Sequence, residues 1–185
     1  QLVVDVDLKA GLDSIEVAVE FLAPKDVKLK KNKPKLLENF RVLKADGCSA
    51  AFRNPETLDL DGKMVNGADN RVSIHVASLS DFLVMKAMAL NGRDKPKDSY
   101  DICYCLDNAD DADIEGIAAT WRASKSDPQI ERAVAILGEK FASPNGFGPA
   151  QVIEFYNLSN QEEIEIEKQR AFSLVKRFLK LLEIE

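Results

Sequence analysis

The sequence is poor in the side chains from which many metal and nucleophile sites are built. Its 185 residues include one histidine, His75, and three cysteines, Cys48, Cys103 and Cys105. Cys103 and Cys105 are two apart, which on a helix points them in different directions and suits a zinc site poorly. An odd number of cysteines without framework spacing argues against a secreted disulfide scaffold. We predict reduced, packed thiols, a cytoplasmic protein and no catalytic role for His75.

Long apolar runs and an excess of positive charge are also missing. No stretch reaches the roughly 18 apolar residues of a membrane span, so no membrane partner is expected. A net charge of −6 argues against a general nucleic-acid or membrane coat. The 45% hydrophobic content is enough for a core, and the length fits one domain or a small one with a helical extension. The chain opens on Gln1 and a strand-like run, so we expect a fragment that lacks an N-terminal part.

Alternating apolar residues predict strands in the first part of the chain. Residues 2–9 and 15–22 alternate with a period of two and predict a hairpin whose second strand ends at Pro24. The segments "ETLDLDGK" and "NRVSIHVA" predict two further strands before residue 78.

A basic segment follows the predicted hairpin. It holds six lysines between Lys25 and Lys35, with one acidic residue among them. A charge run of this kind is typical of a solvated loop. The alternative is a contact for phosphates, in which Lys28 to Lys35 would follow an RNA backbone.

Helical periodicity dominates the second half of the sequence. Helices are expected at 79–91, 97–107, 112–123, 128–141, 149–157 and 161–183. Good N-caps precede three of them, at Ser78, Asp127 and Asn160. The last helix carries a wide apolar stripe, which must pack on other elements. We therefore predict a mixed α/β (α+β) fold, with a sheet domain at 1–77 and a helical portion at 78–185.

Lys86 lies in the apolar stripe of the first predicted helix. Its neighbours in the stripe are Leu79, Phe82, Leu83 and Leu90. Burial of an unpaired ammonium group is costly. Lys86 therefore either extends to solvent or meets an anion that the fold or a ligand supplies.

The segment "RDKPKDSYDICYCL" gathers cations and carboxylates where a helix begins. Asp98 and Asp101 are three apart and share one helix face, and Asp98 in the first turn favourably opposes the helix dipole. In one interpretation, the aspartates have only this structural role at the start of the helix. In the other, a short turn brings Arg93 and Lys97 back beside Lys86. Arginine and lysine offer charged donors to phosphate oxygens, so this arrangement would recognise a polyphosphate.

The longer stretch "DFLVMKAMALNGRDKPKDSYDICYCL" resembles the motif of the abortive-infection nucleotidyltransferases, the toxins of type IV toxin–antitoxin pairs. The matching positions are Lys86, Arg93, Lys97, Asp98 and Asp101. The resemblance implies a nucleotidyltransferase-like mixed sheet, N-terminally incomplete here, followed by a helical bundle. It implies transfer of a nucleotidyl group from a nucleoside triphosphate to an RNA, such as a tRNA end, or to a protein. It also implies Mg²⁺ and an antitoxin protein as partner.

The resemblance also assigns roles. Lys86, Arg93 and Lys97 would bind the phosphates of the substrate. Asp98 would act as a base or orient Lys86, and Asp101 would hold the basic residues in place. The strand "IEVAVEFLAP" resembles the family strand that bears a third acidic residue, which makes Glu20 a catalytic and metal-binding candidate.

One element of the family pattern is missing. The sequence contains no Gly-Ser turn, which normally precedes an aspartate pair on a strand. Asp5 and Asp7 share a strand face as that pair would, but only four residues precede them. We therefore favour Glu20 over Asp5 and Asp7 as a metal ligand, and expect the pair N-terminal to Gln1. The alternative function is a non-catalytic nucleotide- or partner-binding module of the same fold.

Overall fold

The chain has a mixed α/β fold that divides into two compact units, residues 1–49 and 50–185. The computed structural model describes residues 2–6, 15–19, 21–25, 42–64 and 66–183. The boundary at 77/78 that the sequence suggests stays a prediction.

The first unit contains two pairs of strands. These are β1 (Leu2–Val6), β2 (Ile15–Val19), β3 (Phe21–Pro24) and β4 (Val42–Ala45). β1 and β2 are antiparallel, with Leu2 opposite Val19, so the predicted hairpin is confirmed. β3 instead pairs in parallel with β4. The prediction of one strand over 15–22 is therefore wrong, because the chain changes its pairing partner after Val19.

The second unit begins with a hairpin whose two faces differ. A 3-10 helix (Cys48–Phe52) precedes β5 (Glu56–Lys63) and β6 (Asp69–Val76), which are antiparallel. One face pairs Leu58 with Ile74 and Leu60 with Val72, and these four side chains are 39–47% exposed. The opposite face is polar. The hairpin is therefore amphipathic, and its apolar face stays accessible to solvent.

Six helices complete the second unit. They are α1 (Leu79–Gly92), α2 (Pro96–Asn108), α3 (Asp111–Ala123), α4 (Pro128–Lys140), α5 (Phe147–Tyr156) and α6 (Gln161–Leu182). Every helix end lies within two residues of its predicted place. The three predicted caps form: the side chains of Ser78, Asp127 and Asn160 each accept from a backbone N–H of the first turn. None of these described helices is long and apolar enough to cross a membrane.

The core of the second unit is built by the apolar faces of these helices. Trp121 of α3 is 1% exposed and meets Phe178 of α6 edge to face, with ring centroids 5.2 Å apart. Its indole N–H donates to Ser80 Oγ at 3.0 Å, so its polar atom is satisfied. The predicted stripe of α6 packs here, with Ala171, Val175 and Phe178 buried. α1 and α2 are fixed against the same core.

No disulfide joins the three cysteines, all of which lie in the described part of the chain. Cys48 and Cys103 are buried and Cys105 is partly buried. Burial, followed by the charge of Glu167, raises the pKa of Cys103 to about 12. The Cys103 thiol is therefore a packing group, because only the thiolate is a good nucleophile or metal ligand.

Candidate functional site

A three-residue connection places the first turn of α2 against α1. Arg93 ends α1, and Pro96 opens α2, where its missing N–H costs nothing. The backbone N–H of Asp98 donates to the carbonyl of Lys95 at 2.9 Å, which tightens this turn. The Asp98 side chain thereby points toward α1 and meets Lys86.

Asp98 is the centre of the site. Its Oδ1 accepts from Lys86 Nζ at 3.0 Å and from Arg93 Nη2 at 2.9 Å, while its Oδ2 accepts from Arg93 Nε at 2.7 Å. The Arg93 contact is therefore bidentate, which is the strongest arrangement for this pair of groups. The Asp98 side chain is 1% exposed, so its negative charge is compensated inside the protein.

Asp101 repeats this arrangement one turn further along α2. Lys86 Nζ lies 2.6 Å from Asp101 Oδ2, and Lys97 Nζ lies 2.5 Å from Asp101 Oδ1. Lys86 therefore bridges both carboxylates. The resulting ionic cluster alternates in charge along the series Arg93, Asp98, Lys86, Asp101 and Lys97.

The environment of Lys86 explains how a lysine fits in an apolar stripe. The side chain is 17% exposed, and Nζ lies 5.4 Å from the centroid of the Phe82 ring. The fold itself thus supplies the anions that Lys86 needs, together with a cation–π contact. Of the two interpretations of Lys86, the structure supports the meeting with an anion and not the extension to solvent.

The pKa values of Lys86 and Asp98 shift in opposite directions. Burial disfavours the charged form of Lys86, but hydrogen bonds to Asp101 and Asp98 outweigh it and raise the Lys86 pKa. Burial likewise opposes ionisation of Asp98, but hydrogen bonds from Arg93 and Lys86 outweigh it and lower the Asp98 pKa. Both groups are therefore charged at neutral pH. A carboxylate with a lowered pKa is a weak proton acceptor.

The ionic cluster can attract an anion because it holds three cations and two carboxylates. The outer cations remain accessible, with the side chains of Lys97 and Arg93 63% and 49% exposed. Lys86 lies between them in the chain of contacts. A multiply charged ligand could accept from Arg93 and Lys97 while the two aspartates keep their contacts with Lys86.

The other predicted site residues are Glu20, Asp5, Asp7 and the basic segment at Lys28 to Lys35. Glu20 and Asp7 lie outside the described residues, as do Lys28 to Lys35. Asp5 lies on β1, opposite Glu16 of β2. Within the part of the chain that is described, no three acidic, cysteine or histidine side chains lie close enough to hold a metal ion.

A set of aromatic side chains on α2 and α5 was not predicted from the sequence. Tyr100 of α2 meets Phe155 and Tyr156 of α5, and Tyr104 lies next to Tyr100 on α2. The spacing of Tyr100 and Tyr104 predicts a shared helix face. The packing of α2 on α5 is a long-range contact that sequence spacing does not reveal.

A surface cavity elsewhere in the second unit is separate from this chemistry. It has a volume of about 910 Å³ and lies among α3, α4 and the end of α6. None of the five residues of the ionic cluster lines it. The charged groups, and not the cavity, therefore mark the candidate site.

A comparison with known protein families gives a match that includes the ionic cluster. Residues 48–182 match the model of the nucleotidyl transferase AbiEii toxin of type IV toxin–antitoxin systems. The match contains all five residues of the ionic cluster and leaves out Asp5, Asp7 and Glu20. Searches of curated proteins and of solved structures gave no match. Because the match spans most of the chain and contains the predicted motif, the chain belongs to the AbiEii nucleotidyl transferase toxin family.

Proposed function

We propose that the ionic cluster is the phosphate-binding site for a nucleoside triphosphate whose nucleotidyl group is transferred to an acceptor. The observation that carries this proposal is the convergence of Lys86, Arg93 and Lys97 on two buried carboxylates. Membership of a nucleotidyltransferase toxin family supports it. In the reaction, an acceptor hydroxyl oxygen bonds to the α-phosphorus and releases its proton to water, while the bond to the departing pyrophosphate breaks.

The cations of the cluster would stabilise the transition state through their positions and their charges. Pyrophosphate gains negative charge as it departs, and fixed donors aimed at that charge stabilise the transition state. Lys86, Arg93 and Lys97 are the donors in this proposal. Asp98 and Asp101 are positioning residues, which hold the cations in place before the substrate arrives. The three hydrogen bonds to Asp98 favour this role over that of a general base.

Mg²⁺ is expected of a nucleotidyltransferase, where it would neutralise phosphate charge. Asp98 and Asp101 do not fit as its ligands, because their oxygens already accept from cations. The metal-binding candidates remain Glu20 and, less favoured, Asp5 and Asp7.

The resemblance to the family supports a proposal for the acceptor and the partner. We propose an RNA, such as a tRNA end, or a protein as acceptor, and an antitoxin protein as partner. The basic segment at Lys28 to Lys35 would add contacts to the backbone of an RNA acceptor.

Calorimetric titration with nucleoside triphosphate tests the site. We expect Lys86→Met to weaken binding by about 1.5–3 kcal/mol, the scale of a hydrogen bond to a charged group. Lys63→Met is the matched control, because Lys63 also pairs with an aspartate, Asp69 at 2.9 Å, but is 71% exposed on the hairpin. Unchanged affinity in a folded Lys86→Met protein would show that the ionic cluster is purely structural.

A non-catalytic binding module is the second candidate function. Its basis is the Gly-Ser turn of the family pattern, which the sequence does not contain. A triphosphate labelled at its α-phosphate, incubated with Mg²⁺ and total RNA or protein, separates the two. Labelled acceptor favours the transferase, while binding without labelled acceptor favours the module.

A further inference from the structure

Four aromatic rings form a continuous surface where α2 packs on α5. Tyr100 stacks on Phe155, with ring centroids 4.0 Å apart and planes 20° apart. Tyr156 meets Tyr100 edge to face at 5.4 Å, and Tyr104 lies 5.7 Å from Tyr100. We call these four side chains the aromatic platform.

The aromatic platform keeps much of its surface in water. Tyr104 is 53% exposed, Tyr156 44% and Phe155 39%. Packing of α2 on α5 explains why the rings touch each other. It does not explain why three large neighbouring rings stay accessible, and contiguous exposed apolar surface commonly marks a binding site.

An accessible cation lies at each end of the aromatic platform. Lys97 precedes Tyr100 by three residues and Tyr104 by seven, so all three lie on one face of α2. At the other end, Arg170 of α6 lies near Tyr156 and forms ion pairs with Asp107 and Glu167. Aromatic rings between cations suit a ligand that has flat bases on a phosphate backbone.

The position of the platform around α2 indicates the length of that ligand. At 100° per residue, Asp98 and Tyr100 are about 160° apart around the helix axis, with Lys97 on the face between them. A single nucleotide whose phosphates contact the cations at Asp98 would not stack on Tyr100. A strand of several nucleotides that crosses α2 over Lys97 would reach both.

We propose that the aromatic platform binds unpaired bases of a single-stranded RNA, which is the acceptor. This proposal rests on the proposed function, since it supplies the acceptor site of the same reaction. Base stacking on aromatic rings tolerates any sequence, because every base has a flat face. The binding should therefore prefer single strands to duplexes and show little sequence preference.

Fluorescence anisotropy of the full chain with a labelled single-stranded RNA of ten nucleotides tests the proposal. We expect Tyr104→Ala to weaken binding at least about fivefold, the lower end for loss of one stacked base. Tyr104→Phe keeps the ring and should bind within about twofold of the original protein. Phe52→Ala is the matched control, because Phe52 is an aromatic residue 74% exposed in the 3-10 helix. Thermal melts verify that each variant is folded.

Two further measurements are needed: one separates the contribution of the bases from that of the backbone, and the other separates RNA binding from triphosphate binding. A strand of equal length without bases should bind more weakly than the intact RNA, and equal binding would overturn the proposal. Equal binding by Tyr104→Ala would also overturn it and leave the platform as a surface for a protein partner. If the protein binds triphosphate but Tyr104→Ala binds RNA normally, the platform fails and the proposed function stands. If base-dependent RNA binding occurs without triphosphate binding, the proposed function fails and the RNA-binding platform stands.

Discussion

At Asp98 the gain from pairing has to exceed the cost of removing a carboxylate from water. Several kcal/mol are lost when a charge is buried, and the loss is recovered only where geometry is good and the oxygens are satisfied. Asp98 meets that condition with three hydrogen bonds from two cations. The carboxylate is therefore expected to contribute to stability only as part of the whole ionic cluster.

Substitution Asp98→Asn should destabilise the protein by about 3 kcal/mol at neutral pH, because it leaves Lys86 and Arg93 without their shared anion. Urea unfolding followed by circular dichroism measures the change. Asp69→Asn is the control: Asp69 is 91% exposed and pairs with Lys63 on the surface, so its loss should stay within about 0.5 kcal/mol. Equal effects in the two variants would mean that the cluster is no stronger than a surface ion pair.

The lowered pKa of Asp98 predicts how this contribution depends on pH. In the unfolded chain the pKa of an aspartate is about 3.9. Because the folded pKa is lower, the stabilisation is present above pH 4 and is lost as pH falls through the folded pKa. The difference in unfolding free energy between the original protein and Asp98→Asn should therefore be constant from pH 7 to 5 and shrink below about pH 4. A difference that stays constant down to pH 2.5 would contradict the pairing.

Some contacts of the site can be predicted from the sequence and others cannot. Lys86 is visible as a charge in an apolar stripe, and the spacing of Asp98 and Asp101 places them on one face. The bidentate contact of Arg93 is not visible, because it depends on the angle of a three-residue connection. The aromatic platform is hidden for a similar reason, since Tyr100 and Phe155 are far apart in the chain.

Helix ends were predicted well because their signals are local. The caps at Ser78, Asp127 and Asn160 act within one turn, so a short window of sequence contains the whole cause. Strand pairing has no such window. β3 pairs in parallel with β4, and no signal within either strand identifies its partner.

The start of α5 offers a test of packing between elements. A Cβ placed on Gly148 would lie 2.6 Å from the ring of Phe141, which is 1% exposed. Gly148→Ala should therefore destabilise the protein by about 1–3 kcal/mol through overpacking. Gly116→Ala, at an exposed position inside α3 with nothing within 4 Å, should stabilise it by about 0.5–1 kcal/mol. Thermal melts that move in the same direction for both would contradict this packing.

At the scale of the molecule, the second unit contains a complete core. Its main cluster of buried side chains runs from Ala50 to Phe178, and the family match begins at residue 48. Arg53 ties the start of this unit to two helices: Nη1 donates to Asp127 at 2.7 Å, and Nε lies 3.4 Å from Asp81. Asp81 is 5% exposed in its side chain, so it depends on that partner.

Two shortened chains should therefore differ in stability. Residues 50–185 should give a helical circular dichroism spectrum and a cooperative melt. Residues 78–185, cut at the boundary that the sequence suggested, lose Ala50 and Arg53 and leave Asp81 buried without its cation. We expect this shorter chain to be less stable by about 3 kcal/mol, the scale for breaking a buried ion pair.

Arg53→Met in the longer chain isolates the ion-pair contribution and should reproduce most of the loss. Equal stability of the two shortened chains would favour the boundary at 77/78. The strands β1 to β6 and the 3-10 helix would then belong to one domain.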